Sequence, residues 1–253
     1  MLSLFRVEHL KYKCTMTRRL MLMAPLFFIV MALPQSYFMP PDCVHSWNLV
    51  LGIVYNWWPV LFLPLGIALI AGLVVHQEKR AGGYRAALIH PISPAQLWLA
   101  KTVIMSYQLL LATVVLVGAA LVSGMITKAG PVPWRKLLLG GMLLWVTSLP
   151  LIPIQLWAAE MLGFIGSMAV GTVGFAAGVW AAPAPHWIYY PWSWPIRMMC
   201  PLIGVHPNGT FLPPNDPLLN SGVIPLGLTL AVLVTIAFCL GGAFWFSRQE
   251  VLS

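Results

Sequence analysis

Long apolar runs separated by short polar clusters dominate this chain. Six of them, at 20–38, 49–75, 97–126, 137–157, 162–182 and 223–246, have the length to cross a bilayer. A spanning helix needs about 20 largely apolar residues, because the hydrocarbon core is ~30 Å thick and each residue rises ~1.5 Å. The runs are continuous and do not alternate, so they predict helices and not the strands of a membrane barrel. Only residues 158–161 separate the fourth run from the fifth, which predicts a tight hairpin there. The expected fold class is an all-α integral membrane protein with six transmembrane helices. An amphipathic interfacial segment at 1–19 would precede a transmembrane domain at 20–253.

Composition agrees with the pattern. Hydrophobic residues make up 60% of the 253 and charged residues 8%, too few to clothe a soluble domain in polar surface. The first run follows basic residues, as a secretory signal would, but its length and the lack of a small-residue cleavage site after Leu33 predict a retained helix. Cys14, Cys43, Cys200 and Cys239 form no CxxC pair. Cys43 and Cys200 would share the outer side, where a disulfide is one option and two unpaired thiols the other. Asn208–Thr210 reads as a glycosylation triplet, of consequence only in a secretory pathway.

Charge then orients the chain. With both termini cytoplasmic, the inner side receives Arg6, Lys11, Lys13, Arg18, Arg19, Lys79, Arg80, Arg85, Lys101 and Arg248. The outer side receives only Lys128, Arg135, Lys136 and Arg197, as the positive-inside rule requires. The pI of about 9.6 thus records topology, and no nucleic-acid partner is needed to explain it. Near the N-terminus, Leu4, Phe5, Val7, Leu10 and Tyr12 interleave with basic residues, a pattern suited to a helix lying on the inner membrane surface.

The inner loop at 76–96 reads HQEKRAGGYRAALIHPISPAQ and sets Glu78, Lys79, Arg80 and Arg85 between two long apolar runs. Gln77, Glu78, Lys79 and Arg80 can extend a helix beyond the membrane, and Gly82 and Gly83 allow a sharp turn. Tyr84, Arg85 and Leu88 then fit a short helix that Pro91 and Pro94 end before Leu97. The result would be a compact knob able to dock on a soluble protein, or an ordinary basic loop.

The order of these features resembles the lantibiotic-immunity ABC transporter permeases of the MutE/EpiE kind, within the type-2 ABC exporter superfamily. The resemblance is carried by Glu78-Lys79-Arg80, Gly82-Gly83, Leu88, Pro91-Ile92-Ser93 and the Leu97-Trp98-Leu99-Ala100-Lys101 entry into the third span. It implies that the loop is a coupling helix receiving motion from an ATPase. It also implies two copies of that cytoplasmic ATPase, a second homologous permease subunit and a location in the bacterial cell membrane. The amphipathic cationic peptide would be expelled to the outside. Alternatives are another antibiotic or lipid-linked substrate, or a membrane scaffold that does not transport.

The chemistry of the remaining residues narrows the options. The chain has no GxxxxGK[ST] loop, so ATP and Mg would be bound by the partner and no cofactor by this chain. No HExxH or GxSxG occurs, so a self-contained enzyme is disfavoured. Glu160 is expected to be solvated at the hairpin between the fourth and fifth spans, without an ionisable partner. In the fifth span Gly163, Ser167, Gly171, Gly174 and Gly178 form a small-residue face suited to close helix packing, either inside the subunit or between subunits. The family resemblance favours the subunit seam. Pro25, Pro59, Pro64, Pro150 and Pro153 can kink their spans. The outer segment 183–221 is expected to be re-entrant or interfacial, with Trp187, Tyr189, Tyr190, Trp192 and Trp194 as a rim anchor or a contact for peptide.

Overall fold

In hydrocarbon a backbone amide finds its partner inside its own helix, so the apolar runs fold as helices. The computed structural model describes residues 2–12, 16–38, 46–80 and 93–248. Among these, the helices are α1 (Leu2–Tyr12), α2 (Met16–Met23), α3 (Phe27–Phe38), α4 (Trp47–Trp57), α5 (Leu63–Arg80), α6 (Pro94–Ile126), α7 (Trp134–Ser148), α8 (Leu151–Ala181), α9 (Ser193–Ile203) and α10 (Val223–Arg248). Among the described residues five stretches are long and apolar enough to cross a membrane: Thr17–Phe38, Trp47–Arg80, Pro94–Ile126, Trp134–Ala181 and Val223–Arg248.

Proline sets the interruptions within these stretches. A 3-10 turn at Ala24–Leu26 holds Pro25 between α2 and α3. Pro59 lies within a π-helical turn, Trp58–Phe62, between α4 and α5, and Pro64 follows it; the Leu63 N–H reaches back to the Trp58 carbonyl. Each proline lacks a donor and crowds the carbonyl four residues before it, and a wider turn relieves both problems. Pro150 sits at the break between α7 and α8. The third long helix starts at Pro94, ahead of the predicted Leu97, because Ser93 and Gln96 form a reciprocal capping box with both bonds at 3.3 Å.

The 48-residue stretch Trp134–Ala181 is not one rod. Gly163 has φ 72° and ψ −167°, a conformation essentially restricted to glycine, and the chain doubles back there. A straight helix would hold Gln155 and Gly171 ~24 Å apart. Instead the Gln155 amide donates to Ser167 Oγ at 3.2 Å and accepts from the Gly171 N–H at 3.1 Å. The reversal lies just beyond the predicted 158–161, because the residue that can adopt its backbone angles is Gly163. Ser167 Oγ in turn donates to the Ala68 carbonyl at 2.8 Å, which fixes α5 against both limbs of α8.

The segment after α8 folds over the opposite end of the bundle. A 3-10 turn at Pro185–Tyr189 leads to α9, which is buried through most of its length among α4, α7 and α8. Arg197 of α9 is itself buried and donates to the Leu218 carbonyl at 2.8 Å, tying down the returning chain. Cys200 is a buried thiol, and Cys43, its partner in the disulfide option, lies outside the described residues. Burial pushes the Cys200 thiol up to about 11.

Trp192 packs into the glycine face of α8. A Cβ at Gly174 would lie 2.3 Å from the Trp192 ring, and one at Gly178 would lie 2.9 Å from the Trp192 backbone. Gly174→Ala is therefore expected to lower stability by about 1–3 kcal/mol through overpacking. Pairing it with Trp192→Ala should cost less than the sum of the single changes. Thermal unfolding of the solubilised protein across this double-mutant cycle checks both expectations.

Candidate functional site

The ends of α5 and α10, the start of α6 and the Gly163 reversal meet at one end of the bundle, which holds most of its buried charge. Lys101 stands in the second turn of α6 with only 1% of its side chain exposed. Its ammonium pairs with Glu78 Oε2 from the last turn of α5 and with Glu160 Oε1 from the first limb of α8, the latter at 3.3 Å. Those two carboxylate side chains are 10% and 5% exposed. The Lys101 ammonium also lies 5.3 Å from the centre of the Phe246 ring in α10. From the α5 terminus, Lys79 Nζ donates to the Glu160 backbone carbonyl at 2.9 Å.

The N-terminal helix joins this cluster. Leu4, Glu8 and Tyr12 are buried at four-residue spacing on one face of α1, which packs along α6. Burial, then the carboxylates of Glu8 and Glu78, hold the Tyr12 hydroxyl far above the ordinary phenol range, so it stays neutral. Arg6, Val7 and Leu10 of α1 are exposed. The inward face of α1 thus carries a carboxylate and a phenol, which a purely lipid-facing amphipathic pattern does not predict.

Aromatic packing completes the charged end. Trp98 is fully buried one turn before Lys101 and presses on α10 where a Cβ at Gly242 would lie 2.4 Å from its ring. Its ring centroid is 5.7 Å from Phe246 and 6.4 Å from Trp245, and Trp157 meets Trp245 at 6.2 Å. Ion pairs and edge-on or tilted rings therefore join α5, α6, α8 and α10 at one level. No group of three His, Cys, Asp or Glu with metal-binding spacing occurs among the described residues. The arrangement suits transmission of force, since it joins α5 and α6, the helices on either side of residues 81–92.

The predicted site residues separate into three groups. In the coupling loop, Gln77, Lys79 and Arg80 are exposed, Glu78 is buried in the cluster, and Ser93 caps α6. Gly82, Gly83, Tyr84, Arg85, Leu88 and Pro91 lie outside the described residues. Of the small-residue face, Ser167, Gly171, Gly174 and Gly178 are buried within this chain, against Gln155, Ala68 and Trp192, and Gly163 forms the reversal. The face expected at a subunit seam is filled internally. Among the outer aromatics Trp187 and Trp194 are buried and Trp192 is wedged on α8, while Tyr189 is 76% exposed and Tyr190 is half-buried.

The residues that sequence reasoning missed are Glu8, Tyr12, Lys101, Glu160 and Phe246. Glu160 is the clearest correction: it is buried and paired, not solvated. The available signal was an acid inside an apolar stretch together with a lysine inside another, since isolated charges rarely persist in such positions.

The comparison that decides the family covers residues 4–178, which match the family model described as ABC-2 family transporter protein. The chain belongs to that family. No curated protein and no solved structure matches it. As an ABC-2 transporter protein it is a multi-pass membrane component that works with a separate ATPase subunit. In this ABC-2 protein, Lys101→Ala would leave two buried carboxylates facing one another and is expected to cost about 3–5 kcal/mol. Exchanging Lys101, Glu78 and Glu160 together for Met, Gln and Gln should recover most of that loss. Thermal midpoints of the two solubilised variants give the comparison.

Proposed function

We propose that this ABC-2 protein is the permease subunit of a bacterial exporter that clears a lantibiotic or similar amphipathic cationic peptide from the membrane. The carrying observation is the Lys101 cluster, because it sits at the root of the 81–92 loop and ties that loop's flanking helices to α8 and α10. Two copies of a cytoplasmic ATPase, each binding ATP and Mg, would press on this loop and on the exposed Gln77 and Arg80. The residues of the loop that resemble lantibiotic-immunity permeases support the substrate class.

In this reading the limbs of Trp134–Ala181 on either side of Gly163 are separate crossings, giving six, and the charged end with both termini is cytoplasmic. A second permease subunit would meet the face of residues 164–181 opposite the glycines, where Ile165, Val173 and Trp180 are exposed. Peptide would meet the outer rim at Trp180, Tyr189 and Tyr190, since Trp187 and Trp194 are turned inward. That smaller aromatic surface favours, as a second reading, export of another antibiotic or a lipid-linked molecule.

Two measurements test the proposal. Deleting the gene should sensitise its host selectively to lantibiotics in a panel of peptides and small antibiotics; sensitivity confined to non-peptide drugs would move the assignment to the second reading. Arg80→Glu should leave the amount of protein in the membrane unchanged while lowering resistance and uncoupling the ATPase activity of the purified complex. Unaltered coupling would remove the loop root from the drive train.

A further inference from the structure

Three contacts from α5 hold the reversal at Gly163. The first is the ion pair of Glu78 with Lys101, whose ammonium also holds the Glu160 carboxylate at 3.3 Å. The second lies just past the reversal, where the Phe164 ring fills the space over Gly72; a Cβ there would sit 2.8 Å from that ring. The third is Lys79, which donates from Nζ to the Glu160 backbone carbonyl at 2.9 Å. Glu78 is buried and Phe164 half-buried, whereas Lys79 is exposed.

The Glu160 carbonyl calls for such a donor. It stands three residues before the break at Gly163, in the last turn of the first limb, and last-turn carbonyls take partners from outside their helix. A cation also suits the negative end of the helix dipole. Met161 and Leu162 beside it are exposed, and a Cβ at Gly163 would meet no atom within 4 Å. The angle between the limbs is therefore set by α5 and not by packing at the turn itself. The three contacts differ in how readily they part. Breaking a buried ion pair leaves an uncompensated charge, at a large cost. An exposed hydrogen bond exchanges its partner for water at a small one. Lys79 is thus the contact that can open and close while the bundle stays folded.

We infer that Lys79 is a lock on the Gly163 reversal. With its ammonium on the Glu160 carbonyl, the two limbs of α8 keep the angle seen here; with the ammonium displaced, residues 161–166 open and the angle varies. The lock stands whatever molecule is exported. It rests on the proposed function only for its driver, since residues 81–92 follow Lys79 and Arg80 in the chain and would carry the push of an ATPase to them.

Hydrogen–deuterium exchange of the full chain in nanodiscs tests the lock without an ATPase or an exported molecule, so its failure would leave the proposed function standing. Lys79→Met should speed amide exchange across 161–166 by about fivefold, with exchange at the start of α6 and the thermal midpoint unchanged. Lys79→Arg, which keeps a charged donor, should exchange as the wild type does. Lys79→Gln gives the same readout as Lys79→Met should the methionine variant fold poorly. A second measurement reads the angle directly. Nitroxides at Met142 of α7 and Val173 of the second limb, both exposed positions, report a distance by pulsed electron paramagnetic resonance once the four cysteines are replaced by alanine. The distance distribution should broaden in Lys79→Met and keep its width in Lys79→Arg. Unchanged exchange or an unchanged distribution in Lys79→Met would overturn the lock, as would equal loosening in Lys79→Arg.

Discussion

A positive charge that cannot reach water organises one end of this molecule. Lys101 is almost wholly enclosed, and the two carboxylates that make its burial tolerable come from different helices. Removing charges from water costs several kcal/mol per ion after relaxation, and mutual attraction offsets this only when geometry is held closely. The cluster therefore constrains α5, α6 and α8 to one register and brings Phe246 of α10 with them. An apolar substitute of equal volume would hold the helices at least as firmly. What ions add is direction, because a carboxylate cannot slide along a neighbouring helix without losing its partner.

Away from this cluster the same problem, joining helices without a hydrophobic drive between them, has a different solution. Lipid chains are as apolar as leucine, so association depends on close contact. Aromatic rings seat repeatedly where a glycine leaves room. A Cβ would lie 2.1 Å from Trp47 at Gly124, 2.3 Å from Tyr55 at Gly140 and 2.4 Å from Trp98 at Gly242. Some of these rings also bring a polar atom to a backbone carbonyl: Trp47 Nε1 donates to Gly130 at 2.9 Å, and the Tyr55 hydroxyl donates to Leu137 at 2.5 Å. The glycines of the fifth apolar run belong to this scheme, which is why they are spent inside the chain.

The helical architecture was legible because each long run announces itself by length, and several interruptions by a proline. Pro25, Pro59, Pro64 and Pro150 all fall at departures from regular helix. The hairpin was legible as a place but not as a residue, since only the backbone angles single out Gly163. The charge cluster was hidden for a physical reason: Glu8, Glu78, Lys101 and Glu160 are far apart in sequence, and pairing is decided by how the ends of four helices align. The glycine face showed that a close contact was required without naming the partner. Trp192 supplies it from a segment whose aromatic content reads equally well as an interfacial belt.

The reversal at Gly163 and the wedge at Trp192 lie at opposite ends of one straight limb. Residues 164–181 span ~27 Å at helical rise, with the hinge at the charged end and the outer segment keyed into glycines near the other. Such a limb is a lever arm with its load attached. Rigid rotation of ~10° about the hinge carries the far tip sideways by ~5 Å, and Trp192 obliges the cap above it to follow. Small angular adjustments where the ions meet would thus become displacements of a whole surface at the opposite end of the bundle.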